Sequence, residues 1–231
     1  RVYPFKTIGE LRYTTSDSRF ELEEIQEIHG VSSQGITEDF PLDGARTLYG
    51  ATKLASELLI AEYVENFGLT MIINRCGVLT GPWQMGKVDQ GVVVLWMARH
   101  LFGGELSYIG YQGSGLQVRD MLHIEDLGDL ICLQLSHPNL FQGGTFNVGG
   151  GTAISASLIE ITELCRKITG NLIPISKDLG ERPGDVPWFI TDTARVSDLC
   201  NWRPRKGVEA ILTDIHEWMC KHLEELRPIL S

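Results

Sequence analysis

From Leu48 to Phe67 the apolar residues Leu54, Leu58, Ile60, Ala61 and Val64 recur at helical spacing, and Gly68 provides the stop. The stretch that follows, LTMIINRC, is short and apolar at successive positions, which reads as a strand buried on both faces. Such a strand needs helices above and below it, so this one unit already asks for a parallel sheet in an α/β structure. The remainder keeps the alternation. DQGVVVLWMARHLF reads as a helix ended by Gly103 and Gly104, ELSYIG and LQVRDMLH as strands, and IEDLGDLICLQLS as a helix. GGTFNVGGG reads as a strand running into a glycine loop, and SASLIEITELCRKITG as a helix stopped by Gly170. ITDTARVSDLCNW and one amphipathic helix, VEAILTDIHEWMCKHLEEL, close the pattern. Residues 7–47 are rich in polar and turn-forming residues and read as surface loop, with a short helix in the charged run SRFELEEIQEIHG.

Composition narrows the function classes. The chain has 231 residues and a formal net charge of −10, which disfavours a nucleic-acid partner because phosphate backbones are met by clustered Lys and Arg. A small phosphorylated molecule needs only one or two well-placed arginines and stays open. No apolar run approaches the roughly 18–20 residues of a membrane span, so no membrane partner is expected. The five cysteines are scattered, odd in number and without a C-x-x-C pair, so they read as reduced cytoplasmic residues that fill core, with no metal site. The opening RVYPF reads as the tail of a strand, as in a piece of a longer chain.

Within YGATKLASE, Tyr49 and Lys53 stand one helical turn apart on the same face. A phenol alone is a poor base at neutral pH, and a neighbouring ammonium favours its phenolate. As a bare pattern the pair is equally an exposed helix contact of a few tenths of a kcal/mol. The later marks decide between the two: a strand leading into NRCGVLTGP, then VRDMLHIEDL, TFNVGG and ERPGD, in that order.

With these marks the chain resembles the extended short-chain dehydrogenase/reductase family, specifically its nucleotide-sugar epimerases and dehydratases. The resemblance runs from the first residue to about residue 215. The stretch GPWQMGKVDQGVVVLW, with Gln84, Asp89, Gln90 and Gly91 in register, is similar to the CDP-paratose 2-epimerase (CDP-tyvelose epimerase) group. The implied fold is α/β, the C-terminal part of a Rossmann-like doubly wound parallel sheet plus a smaller α/β substrate-binding lobe. Residues 1–82 would be the remaining part of the NAD-binding domain. Residues 83–231 would be mainly the nucleotide-sugar lobe, with some segments returning to the sheet. No G-x-x-G-x-x-G follows a strand, so the dinucleotide fingerprint and the catalytic Ser or Thr would fall before Arg1.

The resemblance implies an isomerase using NAD on a nucleotide-diphosphate sugar through a transient keto sugar. A UDP-hexose 4-epimerase, a 4,6-dehydratase, or an inactive fragment that only binds nucleotide sugar are the alternatives. It implies Tyr49 as the catalytic base and Lys53 as the residue that favours its phenolate and holds the nicotinamide ribose. Arg75, Cys76, Gly77 and Val78 fall where the family wraps the nicotinamide, although Cys76, Gly77 and Val78 replace the group's usual polar residues. Gln90, Arg119, Asn147, Arg182 and Asp185 fall on the substrate side, the two arginines suiting a diphosphate because each donates bidentate hydrogen bonds. His123, Asp126, Trp83 and Trp188 read as structural. A cytoplasmic homodimer when full length completes the expectation, with the apolar helix that carries Tyr49 buried on several sides.

Overall fold

The stretch read as surface loop is mostly loop but holds four short strands. In a computed structural model that describes residues 1–87 and 90–230, helix α1 (Phe5–Gly9) is followed by two hairpins. Strand β1 (Tyr13–Thr15) pairs antiparallel with β2 (Phe20–Leu22), and β3 (Val31–Ser32) with β4 (Gly35–Ile36). The charged run expected to be helical holds β2 instead. Strands this short show no alternation to read, yet they anchor real core: Phe20, Ile36 and Phe40 are buried against Trp188, Phe189 and Ile190.

Helix α2 (Leu48–Phe67) has the bounds its periodicity predicts. The Thr47 hydroxyl accepts from the Gly50 N–H at 3.1 Å, and Gly68 ends the helix at φ 64°. Its neighbours differ from expectation. Only Gly50 is fully buried, while Leu58, Leu59, Tyr63 and Phe67 are 55–70% exposed, so no described element covers its outer face. The inner face packs Leu54 against the cluster built on Tyr3 and Phe189.

Next come β5 (Ile73–Cys76) and β6 (Val78–Thr80), one strand divided at Gly77, then α3 (Val92–Phe102), β7 (Leu106–Ile109) and β8 (Val118–His123). They are followed by α4 (Ile124–Ser136), α5 (Pro138–Phe141), β9 (Thr145–Val148), β10 (Ser155–Ser157) and α6 (Leu158–Thr169). The last elements are β11 (Ile175–Asp178), β12 (Trp188–Phe189), α7 (Ala194–Cys200), α8 (Val208–Lys221) and α9 (Leu223–Leu230). The single closing helix of the sequence reading is thus two, broken at His222, which turns Leu226 and Leu230 into the core beside α3.

Parallel pairing dominates, as apolar strands separated by helices require. β5 pairs with β9, β6 and β12 with β8, and β7 with β11, all parallel; only β10 runs antiparallel to β8. Strand β8 is therefore the junction: one edge region takes β6 through Met121–His123, and Val118–Asp120 takes β10 and β12. Behind it α3 is buried almost all round, locked against Ile161 and Cys165 of α6 and Ile211, Ile215 and Trp218 of α8. A capping box of Ser157 and Glu160 starts α6. No described helix is long and apolar enough to cross a membrane.

Two glycines in helices test this packing in opposite directions. A β carbon on Gly50 would sit 2.4 Å from the Arg1 carbonyl oxygen, whereas one on Gly128 of α4 would meet nothing within 4 Å. Gly128→Ala should stabilise the protein by about 1 kcal/mol through helix propensity. Gly50→Ala should destabilise it by about 1–3 kcal/mol, because the overlap outweighs that gain. Urea unfolding of the two variants checks the signs.

Candidate active site

A wide cleft of about 1180 Å³ lies between α2, the β5–β6 strand and the 182–185 loop. α2 presents Tyr49, Lys53, Ser56, Glu57 and Ile60 to it, positions spaced to share one helix face. The Lys53 ammonium lies 5.3 Å from the Tyr49 ring centroid, so the two groups do meet on one side of the helix. Tyr49 is 59% exposed, open to the cleft. The opposite wall is Arg75, Cys76, Gly77 and Val78, and Gln90, Arg119, Arg182 and Asp185 line the same space. Nearly the whole expected set is therefore gathered around one cleft.

Asn147 is the exception. Its side chain is fully buried, accepts from the Tyr3 hydroxyl at 2.7 Å and donates to the Ile36 carbonyl at 2.7 Å. With both ends bonded inside the protein it is a core tie, not a substrate contact. Arg75 also differs from expectation. It forms a two-pronged bond with Glu57 (3.0 and 2.7 Å) and lies over the Tyr3 ring, so its charge pins α2 to β5. Glu57 was the residue the sequence reading missed, although its place four positions after Lys53 is the signal that finds it. Asp89 of the Gln-rich motif lies outside the described residues.

Arg119 and Asp185, expected as separate ligands, are partners at 2.6 Å. Arg119 also donates to the Val118 and Val186 carbonyls, each at 2.7 Å. Burial lowers the proton affinity of this guanidinium, and Asp185 counters it. The pair stands at the mouth of a second, mostly apolar cavity of about 320 Å³ between α3, β7 and β8. Val78, Arg119, Arg182 and Asp185 line both spaces, so the two cavities lie side by side at the guanidiniums.

Of the residues read as structural, His123 starts α4, its Nδ1 accepting from the Glu125 N–H at 3.1 Å. Asp126 accepts from the Lys206 N–H at 3.1 Å and so holds the 203–206 segment. Trp188 is buried, while Trp83 is 64% exposed and rests on Trp218 and His222, away from the cleft lining.

Asp120 is a fully buried carboxylate directly behind the cleft wall. A β carbon on Gly77 would lie 2.8 Å from its Oδ2, so the bare backbone at Gly77 is what lets the strand pass it. Burial pushes this carboxyl up to about 6, against hydrogen bonds from Thr191 (2.5 Å) and Gly151 (3.4 Å) that favour its charge. The native state then holds this proton more tightly than the unfolded chain, whose aspartates titrate near 3.9. Stability should therefore fall by about 3 kcal/mol as pH rises from about 4 to about 6, and level off above. Asp120→Asn should lose that slope, gaining on the parent protein more at about pH 7.5 than at about pH 4. Equal differences at both pH values, measured by denaturant unfolding, would show that Asp120 is not the group responsible.

Comparison with known proteins gives the family of the chain. The family model of the NAD dependent epimerase/dehydratase family matches residues 26–149, more than half of the chain. The chain belongs to that family. It is 27% identical over 172 residues to the CDP-paratose 2-epimerase of Salmonella typhi, covering 74% of this chain and 51% of that protein. It is 28% identical over 173 residues to the dTDP-glucose 4,6-dehydratase of Streptomyces antibioticus, covering 74% of this chain and 48% of that one. Among solved structures, the UDP-glucuronic acid 4-epimerase of Bacillus cereus, in complex with UDP-glucuronic acid and NAD, superposes with a TM-score of 0.72 at 25% identity. That match covers 84% of this chain and 59% of the other. The chain thus spans about half the length of these relatives.

Proposed function

We propose that this chain carries the catalytic pair and the substrate side of an NAD-dependent epimerase acting on a nucleotide-diphosphate sugar, of the CDP-paratose 2-epimerase kind. The observation that carries the reading is that Arg119 and Arg182 line both of two adjacent cavities. A ligand with a flat base, an anionic linker and a hydroxylated end matches the apolar cavity, the guanidiniums and the Tyr49 cleft in turn. In this reading residues 1–82 belong to the dinucleotide-binding domain and residues 83–231 mainly to the sugar-nucleotide lobe. The uncovered apolar face of α2 supports a homodimer in the full-length protein.

The residues present fit NAD: Tyr49 and Lys53 on one wall and the Cys76–Val78 backbone on the other offer a phenol, an ammonium and a bare strand edge. NAD, when bound, provides the hydride acceptor and donor at the sugar carbon. Tyr49 takes the proton of the sugar hydroxyl as that carbon becomes a ketone, and returns it after the keto sugar has turned in the cleft. Lys53 holds a positive charge beside the phenol throughout. Arg119 and Arg182 keep the diphosphate fixed while the sugar rotates, so the intermediate is not lost to solvent. A UDP-hexose 4-epimerase or a 4,6-dehydratase would use the same anchors on a different sugar; product analysis with CDP-, UDP- and dTDP-sugars separates them.

Tyr49→Phe, in the protein that carries this chain, should reduce turnover by about 10²–10⁴-fold with the affinity for nucleotide sugar nearly unchanged. A variant that keeps more than about a tenth of the rate is incompatible with Tyr49 as the base.

A further inference from the structure

Four arginines line the wide cleft, and they differ in what answers their charge. Arg75 is bonded to Glu57, and Arg119 to Asp185. Arg182 has no ion-pair partner among the described residues. Arg1, which the sequence reading left without a role, forms no ion pair among the described residues: it donates to the Gly184 carbonyl at 2.8 Å, its guanidinium lies 5.7 Å from the centre of the Phe189 ring, and the charges of Arg119 and Asp185 both act on it. Its Nε is buried without a hydrogen-bond partner.

Charge counting around the 182–185 loop gives three guanidiniums (Arg1, Arg119, Arg182) against one carboxylate (Asp185), an excess of two positive charges. The diphosphate of a nucleotide sugar carries one negative charge on each phosphate. We propose that Arg1 is a third guanidinium of the diphosphate site, pairing with a substrate phosphate on the side of the site nearest Tyr49. Among the described residues Arg1 and Arg182 form no ion pair, whereas Arg119 is paired with Asp185. Burial, and after it the charge of Arg119, lowers the Arg1 guanidinium to about 10, with Asp185 acting the other way. Its bond to Gly184, two residues after Arg182, also ties Arg1 to the loop that carries Arg182. The role is specific to this chain's own residue and deepens the function proposed above, on which it rests.

Calorimetric titration of CDP and UDP, and of cytidine and uridine, into the unsubstituted protein and its Arg1→Gln and Arg1→Lys variants tests it. Arg1→Gln should weaken the diphosphates by about 10- to 100-fold, as expected for a lost charge-assisted hydrogen bond, and leave the nucleosides unchanged. Arg1→Lys should recover part of the loss, and the remaining diphosphate affinity should depend less steeply on salt in Arg1→Gln than in the parent. Diphosphate affinity unaltered in Arg1→Gln overturns the proposal. So does an equal loss for nucleosides and diphosphates, since a mere tether of the loop would produce that. If the unsubstituted protein binds neither diphosphate, the function proposed above fails, and the role of Arg1 fails with it.

Discussion

Taking a guanidinium out of water is costly unless a counter-charge stands beside it, and Asp185 stands beside Arg119 where β8 and the 182–185 loop come together. Asp185 lies at the end of the segment that leads into β12, and β12 is hydrogen-bonded to β8 beside Arg119. One ion pair therefore fixes the loop carrying Arg182, the entry to β12 and the wall between two cavities. The Val118 and Val186 carbonyls take the remaining donors of Arg119 and hold its plane. Removal of one member would leave the other charge half-buried and unmatched, a change that typically costs several kcal/mol.

The same strand sets the far side of the cleft. Asp120, one residue on, points to the opposite face of β8, which is why it lies behind Gly77 while Arg119 lies in front. Two walls of the cleft are thus positioned by neighbouring residues of one six-residue strand that is paired along both halves. The Tyr49 face of α2 is set more lightly, by the Arg75–Glu57 bond and by Gly50 against the Arg1 carbonyl. Rigid strands set one side of the cleft and an ion-paired helix the other.

How much of this is visible in the sequence depends on the range of the interaction. Helix α2 and its glycine stop were legible because periodicity and capping are local. The parallel pairing of β5 with β9 was legible as a class, since LTMIINRC is apolar on both faces, although its register was not. The Tyr49–Lys53 pair and the Arg119 and Arg182 positions came from the order of motifs. The opening hairpins were missed because strands of two or three residues carry no period. Asn147 was misplaced because a buried amide and a ligand-binding amide look alike until Tyr3 and Ile36 are seen around it. Arg1 gave no local signal at all: its carbonyl acceptor lies 183 residues away.

The central claim is that one extended ligand bridges the two cavities across the arginines. A crystal structure of the protein soaked with a CDP- or UDP-sugar tests this directly. The account predicts the base between α3 and β8, the diphosphate on Arg119 and Arg182, and the sugar directed toward Tyr49 and Lys53. A nucleotide sugar bound with its base in the Tyr49 cleft, or bound away from Arg119 altogether, would contradict it.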